Sequence, residues 1–315
     1  MISNKSISVI IPAFNIGENI IDFLKRIPEY VDQIYLIDDC CPLRTGKIAE
    51  ERKSEFKKLN IFYNHKNLGV GGAVKVGYRE SLKSNIDIIV KIDGDNQMNP
   101  DEINKLVEPL LNAEYQYAKG NRFLNRDEIE NYPKARFYGN IFLSFMSKLS
   151  SGYWDIFDPI NGYTAITKES LKILNLKKID DGYFFESDML FNLYLKKFKV
   201  KDIPVEIKYF KNQIQNMSLI RESFNFLFKN ISRSFKRVKL TYFNNNFTLG
   251  SFFSGMFFLS AIFTIFYGGF NYLYHYILNE FAPTGVVVIS SIFLLLMFLS
   301  LMIFLILDNF NNPNK

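Results

Sequence analysis

Charged residues are absent from two long stretches near the C-terminal end of this 315-residue sequence. Residues 240–279 and residues 281–307 contain no Asp, Glu, Lys or Arg, although such residues make up 22% of the chain. Each stretch is longer than the roughly 20 apolar residues that a helix needs to cross a bilayer. A buried helix of a soluble core is the alternative, but two adjacent uncharged stretches favour membrane spans. The sequence therefore predicts two transmembrane helices.

Cysteine is scarce as well. Cys40 and Cys41 are the only two in the chain, and they are adjacent. Adjacent cysteines do not readily close an unstrained disulfide, so the pair is typical of a reducing compartment. The first residues also lack the apolar stretch and the cleavage site of a secretory signal peptide. We therefore expect the N-terminal domain to lie in the cytoplasm.

The net charge of +6 could indicate nucleic-acid binding, so the position of the basic residues matters. Between residues 217 and 240 apolar residues recur at helical spacing, with basic residues between them. The basic positions are Arg221, Lys229, Arg233, Lys236, Arg237 and Lys239. A basic amphipathic helix next to a membrane span is expected to lie among lipid headgroups, although an ordinary surface helix has the same pattern. We predict a lipid bilayer partner and no nucleic acid.

Basic residues also predict the orientation, because they flank the cytoplasmic side of a span. The first span would run outward from about Thr248 and the second back from about Thr284, with both termini in the cytoplasm. We predict a cytoplasmic domain over residues 1–215, amphipathic juxtamembrane helices over 216–245 and a two-helix hairpin in the cell membrane over 246–310. Small residues such as Gly268 and Gly269 would allow helices of two copies to pack together, so the sequence leaves open whether the protein is a monomer or a homo-oligomer.

The first part of the chain alternates between two kinds of segment. Apolar, β-branched runs lie at residues 6–12, 33–38, 59–63 and 87–93, and helical patterns lie at 18–26, 46–58 and 72–83. A further helix is expected near 185–197 and a closing strand near 200–209. Such alternation predicts an α/β fold with a mostly parallel sheet. Ligands of such sheets bind beyond the carboxyl ends of the strands, where this chain places Phe14, Asp38, Asp39, Asn67, Asp93 and Asp95.

Asp93-Gly94-Asp95 follows an apolar strand and is a candidate metal site. Two carboxylates one residue apart can hold a hard divalent cation such as Mg²⁺, which usually shares its site with substrate phosphates. Gln97 could add a carbonyl oxygen. By itself the motif fits a tight turn with solvated side chains equally well.

Other motifs accompany it, each after a strand-like run. They are Pro12-Ala13-Phe14-Asn15 with Glu18, then Asp38-Asp39, then Asn67-Leu68-Gly69-Val70-Gly71-Gly72. Together they resemble the family 2 glycosyltransferases, in the branch with dolichyl-phosphate mannose synthase and bacterial polyprenyl-phosphate glucosyltransferases. The resemblance covers about residues 7–218 and implies a GT-A-type nucleotide-sugar-binding domain that uses Mg²⁺ or Mn²⁺. Two departures are that Phe14 replaces a Tyr and that Cys40-Cys41 replace small turn residues.

The resemblance also implies roles for single residues. The residues implied in nucleotide-sugar binding are Pro12, Phe14, Glu18, Asp39, Asn67, Asp93, Gly94, Asp158 and Asn161, and those implied in metal binding are Asp93, Asp95 and Gln97. Asp158 opens a loop that lies beneath the sugar in this branch. Glu186 and Asp188 occupy the place of its late acidic motif.

Three basic residues are implied in binding the acceptor phosphate. Arg122 matches a family Arg that reaches phosphate, and Arg136 follows fourteen residues later, as in this branch. Arginine binds phosphate oxygens bidentately, although a surface ion pair is the alternative for each. Lys208 stands where the branch usually has Arg and can bind phosphate as a point charge.

The implied reaction is inverting, metal-dependent transfer of a hexose from a UDP- or GDP-linked sugar to a polyprenyl phosphate of undecaprenyl or dolichyl type. A phosphate acceptor is already anionic, so no side chain has to act as general base. The protein has to align that oxygen and stabilise the departing diphosphate. The implied catalytic residues are Asp95, Arg122 and Asp188, and Asp188 would orient the sugar.

Two other functions fit the sequence less well. A polymerising transferase of the same family would carry Gln-x-x-Arg-Trp after the late acidic motif, but the only tryptophan, Trp154, precedes it. Transfer to a hydroxyl of a lipid-linked saccharide stays an alternative. A non-catalytic membrane interaction protein would require decayed motifs, and these are largely intact. UDP-glucose, a UDP-N-acetylhexosamine and GDP-mannose all remain open as donors.

Overall fold

The computed structural model describes residues 2–124, 134–206, 219–244 and 247–315, without the side chains of residues 134–138 and 219–223. The chain divides into two units. The first comprises Met1–Ser234 with Asn314, and the second comprises Phe235–Pro313 with Lys315.

A seven-stranded sheet with the order β3-β2-β1-β4-β6-β5-β7 forms the centre of the first unit. The strands are β1 (Ile7–Ala13), β2 (Gln33–Asp38), β3 (Leu59–Tyr63), β4 (Ile88–Lys91), β5 (Tyr117–Asn121), β6 (Thr164–Thr167) and β7 (Val200–Pro204). β1 to β4 run parallel, β6 is antiparallel to both β4 and β5, and β7 is parallel to β5. The predicted α/β fold with a mostly parallel, GT-A-like sheet is confirmed.

The helices are α1 (Asn19–Lys25), α2 (Thr45–Glu51), α3 (Val70–Lys83), α4 (Ile103–Leu111), α5 (Lys134–Ser151), α6 (Lys168–Ile173), α7 (Phe185–Leu195) and α8 (Leu219–Val238). α3 and α4 pack on opposite faces of the sheet, since their buried residues enter different hydrophobic clusters. α2 ends well before the predicted residue 58. A 3₁₀ turn at Lys53–Glu55 follows it, and the Leu59 N–H donates to the Phe56 carbonyl as the chain turns into β3.

The two faces of β1 enter different hydrophobic clusters. Ile7, Val9 and Ile11 belong to one cluster and Ile10 to the other. Successive side chains of a strand point to opposite faces, so a doubly covered strand is mostly apolar on both of them. The one polar side chain of β1, Ser8, is buried 3.4 Å from the hydroxyl of Ser81. α3 packs closely here, since a Cβ atom at Gly77 would lie 2.5 Å from Cγ2 of Ile10.

The strand directions bring the candidate loops to one edge of the sheet. β1, β2 and β4 end at this edge because they are parallel. β6 begins there, since it is antiparallel to β4 and its Thr164 pairs with Lys91. β5 and β7 run against β6 and therefore also end there. This edge is where α/β sheets bind ligands.

The second unit contains two long apolar helices. α9 (Leu249–Phe263), a π-helical segment (Thr264–Gly269) and α10 (Phe270–Ile277) form one continuous helix of 29 residues, and α11 (Thr284–Phe310) forms the other. Their mean hydropathies of 1.8 and 2.9 are sufficient for membrane spans. The described residues therefore include two candidate transmembrane helices, and their orientation and the three-part division stay predictions.

Buried polar contacts join the ends of this unit. The guanidinium of Arg237 donates to both carboxylate oxygens of Asp308, at 2.7 and 2.8 Å. The Tyr242 hydroxyl donates to the same carboxylate at 2.7 Å. Both charged side chains are fully buried, so their mutual pairing is what makes burial tolerable.

Candidate active site

Asp39, the first residue after β2, holds the loop that precedes α3. Its carboxylate accepts hydrogen bonds from the N–H groups of Leu68 and Gly69, both at 2.9 Å, and from Nδ2 of Asn64 at 2.7 Å. Asn67 adds a bond from the Gly69 N–H to its own side-chain oxygen at 2.8 Å. The loop is therefore fixed by a buried carboxylate, and the implied contacts of Asp39 and Asn67 with a nucleotide stay predictions.

A thiol joins the loops that follow β1 and β2. Sγ of Cys41 accepts from the Asn15 N–H at 3.1 Å and lies 3.1 Å from Oγ1 of Thr45. Burial by itself would raise the pKa of Cys41, but the hydrogen bonds from Thr45 and Asn15 outweigh it and lower that pKa. From the sequence, Cys40 and Cys41 are expected only to replace small turn residues. The hydrogen bond of Cys41 to the first loop is not predicted, because it depends on how closely the two loops approach in space.

The remaining residues of the first motif surround that contact. Pro12 lies within β1, the Phe14 side chain is exposed, and Glu18 is exposed at the start of α1. An exposed aromatic ring at this edge is available to a ligand, as the sequence implied for Phe14. The structure places these three residues at the same end of β1 and leaves their roles as predictions.

Asp93 is joined to a buried lysine. Nζ of Lys91 lies 2.8 Å from Oδ1 of Asp93 and 3.1 Å from Oε1 of Glu186. Burial alone would lower the pKa of Lys91, but the two carboxylates raise it above its ordinary value. This lysine therefore connects the Asp93-Gly94-Asp95 motif with the late acidic motif, which the sequence did not predict.

The loop before β6 lies directly against this pair. A Cβ atom at Gly162 would lie 2.2 Å from Nζ of Lys91 and 2.5 Å from Oδ2 of Asp93, so only glycine allows the observed approach. The side chain of Asn161 accepts from the Tyr163 N–H at 2.9 Å within the same loop. The structure thus brings Asp93 and the predicted sugar loop together, and their contacts with a sugar stay predictions.

Asp93 and Asp95 are the predicted metal ligands, and their binding of a cation stays a prediction. Burial and then the negative charge of Asp93 raise the pKa of Asp95 to about 6, which indicates a carboxylate pair that a cation would stabilise. The Gln97 N–H donates to Oδ1 of Asp95 at 3.1 Å, while its side chain as a ligand stays a prediction. Within the described residues there is no group of three His, Cys, Asp or Glu side chains that could hold a metal. A Mg²⁺ or Mn²⁺ ion would therefore need diphosphate and water oxygens to complete its ligands.

Arg122 forms an ion pair with Asp158, the residue that opens the predicted sugar loop. Its Nε lies 2.7 Å from Oδ2 of Asp158, and its Nη2 lies 2.8 Å from Oδ1. Burial by itself would raise the pKa of Asp158, but the Arg122 guanidinium outweighs it and holds that pKa below its ordinary value. This is not the surface ion pair named as the alternative for Arg122, because Asp158 is buried at this edge of the sheet. Sequence spacing contains no signal for this pairing.

Asp188 is also paired, and its partner lies on the basic amphipathic helix. Nε of Arg233 in α8 lies 2.7 Å from Oδ1 of Asp188, and its Nη2 donates to Oδ2 at 2.8 Å. Burial raises the pKa of Asp188, and Arg233 offsets this only in part. Nζ of Lys229 similarly lies 2.6 Å from Oδ2 of Asp180. Two basic residues that the sequence assigned to lipid headgroups therefore bind carboxylates of the first unit.

Two predicted phosphate ligands cannot be placed. Lys208 lies outside the described residues, and Arg136 lies in α5 with a side chain outside the described set. Their roles stay predictions.

A family profile and several characterised proteins match this chain. The profile described as glycosyl transferase family 2 matches residues 8–174, more than half of the sequence. A UDP-N-acetylglucosamine–dolichyl-phosphate N-acetylglucosaminyltransferase of Methanococcus voltae is 29% identical over 66% of this chain and 87% of its own length. A polyprenol monophosphomannose synthase of Mycolicibacterium smegmatis is 26% identical, over 62% of this chain and 75% of that protein.

Solved structures match the fold. A glucosyl-3-phosphoglycerate synthase from Mycobacterium tuberculosis, crystallised with Mn²⁺, UDP and glucosyl-3-phosphoglycerate, superposes with a TM-score of 0.54 at 19% identity. The match covers 75% of this chain and 80% of that one. At this identity the likeness concerns the fold alone.

Proposed function

Because the chain belongs to glycosyl transferase family 2, we propose that it transfers a sugar from a nucleotide-sugar to a polyprenyl phosphate at a membrane. One observation carries the proposal. The Asp39-bound loop, the Asp93–Asp95 pair and the Arg122–Asp158 pair lie at one edge of the sheet in a chain that also has two candidate transmembrane helices. The relatives named for dolichyl- or polyprenol-phosphate acceptors support a lipid phosphate as acceptor.

The donor would be held by three parts of this edge. Phe14 and the loop fixed by Asp39 would take the nucleotide, and the loop from Asp158 to Asn161 would take the sugar. Asp93 and Asp95, with Gln97 nearby, would hold Mg²⁺ or Mn²⁺. A bound cation of this kind neutralises charge on the departing diphosphate.

The acceptor phosphate would need positioning and no base. Arg122, paired with Asp158, would contact phosphate oxygens, with Arg136 and Lys208 as further ligands. The phosphate oxygen then displaces the diphosphate in line and inverts the anomeric carbon. Asp188 is bound to Arg233 and is therefore better suited to orienting groups than to removing a proton.

The chain is associated with a membrane on the evidence of its two apolar helices and its relatives. We infer that residues 1–215 and both termini face the cytoplasm. Protease added outside sealed right-side-out vesicles should leave the N-terminal domain intact. Digestion of that domain would contradict the inferred orientation.

The function can be tested with the purified full chain in lipid nanodiscs. Labelled UDP-glucose, UDP-N-acetylglucosamine and GDP-mannose are offered with undecaprenyl or dolichyl phosphate, and acid-labile lipid-linked sugar is measured. We expect one donor to give product, and Asp95→Asn to lower its rate by roughly 10²–10³-fold, as loss of charge stabilisation does elsewhere. Asp22→Asn, at an exposed position of α1, is the matched control.

Transfer only to a hydroxyl of a lipid-linked saccharide would replace the proposed acceptor. Near-normal activity of Asp95→Asn would exclude this carboxylate from the metal site.

A further inference from the structure

We propose that Arg233 of α8 is a positioning residue for the nucleotide-sugar donor. It would act through Asp188 and residues 180–182 on the glycine-rich loop, defined as residues 67–72 and including the first residues of α3. The inference rests on the proposed function, because it takes this loop as part of the donor site. Under this proposal, donor binding depends on α8, the helix that precedes the candidate membrane spans in the sequence.

The first step is the ion pair between Arg233 and Asp188. The carboxylate of Asp188 is fully buried and meets two nitrogens of one guanidinium, at 2.7 and 2.8 Å. A buried carboxylate is strongly dependent on such a partner, because little water can replace it. The orientation of the Asp188 carboxylate therefore depends on Arg233.

The second step leads from Asp188 to residues 180–182. The Asp180 N–H donates to Oδ2 of Asp188 at 2.9 Å, the same oxygen that binds Arg233. Lys229, one turn earlier in α8, binds the Asp180 side chain at 2.6 Å. The Gly182 N–H donates to the other oxygen of that side chain at 2.8 Å. Two cations of α8 thus hold one short segment, one through its backbone and one through a side chain.

The third step joins that segment to the glycine-rich loop. The Gly72 N–H donates to the Asp181 carbonyl at 2.8 Å. A Cβ atom at Gly69 would lie 2.7 Å from the same carbonyl oxygen, and one at Gly71 would lie 2.6 Å from that of Asp180. Glycine is required at both positions because the two backbones touch. The loop is therefore held between residues 180–182 on one side and Asp39 on the other.

Helix α8 has contacts that do not involve these ions. The rings of Phe226 and Phe184 meet edge to face with centroids 5.0 Å apart. Oγ of Ser150 donates to Oδ1 of the fully buried Asn230 at 2.6 Å. These contacts should keep α8 in place when Arg233 is changed, so a variant there can test positioning apart from folding.

The experiment measures binding of UDP and GDP, each with Mn²⁺, to the full chain in nanodiscs by titration calorimetry. We expect Arg233→Gln to weaken binding of the recognised diphosphate by roughly tenfold, a common size of coupling between two sites. Hydrogen exchange at the amides of residues 67–72 and 180–182 should rise as well. Arg233→Lys should recover part of the affinity, and Lys239→Gln, which removes the same charge at an exposed position further along the chain, should retain all of it.

Lys229→Gln provides a second variant in case Arg233→Gln does not fold, and it should weaken binding in the same direction. A purely structural role would lower the unfolding temperature and leave the diphosphate Kd of the folded fraction unchanged, and that result would overturn the coupling.

The two proposals can fail separately. Sugar transfer by the wild type together with unchanged diphosphate Kd in both variants would overturn the coupling alone. Absence of transfer with a Kd that depends on Arg233 would overturn the proposed function alone. Absence of diphosphate binding by the wild type would overturn the positioning role outright.

Discussion

Removing the positive charge of Lys91 should destabilise the first unit strongly. The substitution Lys91→Met keeps about the same volume and deletes the ammonium group between Asp93 and Glu186. The two carboxylates are not equally affected. The Asp93 side chain is 31% exposed, so water can solvate its carboxylate after the lysine is removed. The Glu186 side chain is 6% exposed, so its carboxylate would be left as an unpaired buried charge.

The size of the effect follows from that unpaired charge. Breaking a buried ion pair by removing one partner costs about 3–5 kcal/mol. In a unit of this size each kcal/mol shifts the unfolding temperature by about 2–4 °C, so a fall of about 6–20 °C is expected. The double variant Lys91→Met/Glu186→Gln should be more stable than Lys91→Met, because it removes both members of the buried pair.

Trp154 provides the assay, since it is the only tryptophan and lies in the first unit. Its fluorescence during heating reports on the unfolding of that unit in the full chain. Unfolding of Lys91→Met at the wild-type temperature would refute the reasoning. A double variant no more stable than the single one would show that Glu186 is not the affected group.

Two further substitutions test a buried carboxylate within β7 and the loop before β6. Burial raises the pKa of Asp202 to about 7, so the folded state binds this proton more tightly than the unfolded chain does, and stability should fall as the pH rises from about 4 to about 7. The Asn side chain of Asp202→Asn stays neutral, so this variant should gain stability relative to the wild type as the pH rises over that range. The gain should be at most roughly 1.4 kcal/mol per unit of pKa shift, and denaturant unfolding at several pH values measures it. Gly162→Ala should displace Asp93 and Lys91 and so weaken Mn²⁺-dependent diphosphate binding, measured by calorimetry. Gly139→Ala is the control, because an added Cβ atom there meets nothing within 4 Å, and it should leave binding unchanged.

The outcomes that contradict these two expectations are specific. A difference in stability between Asp202→Asn and the wild type that is constant from pH 4 to pH 8 would show that Asp202 does not titrate there. Wild-type diphosphate affinity in Gly162→Ala would show that the loop can move away from Asp93 without consequence.

The sequence alone determined the local features of this protein. The uncharged stretches predicted two apolar helices, and the β-branched runs predicted the first four strands at nearly their observed positions. Such predictions succeed because hydrophobic periodicity and length act within one segment. The motifs after the strands, together with their resemblance to a family, also indicated the glycosyltransferase class that the family profile confirms.

Tertiary structure decided which of those residues are partners. Lys91 with Glu186, Arg122 with Asp158 and Arg233 with Asp188 are separated by 95, 36 and 45 positions in the chain. Arg233 shows the difference most clearly. Its helical pattern predicted a surface among lipid headgroups, because periodicity defines a face of a helix and does not say what that face meets. The partner is a buried carboxylate, and only the tertiary packing within the first unit brings Arg233 and Asp188 to 2.7 Å.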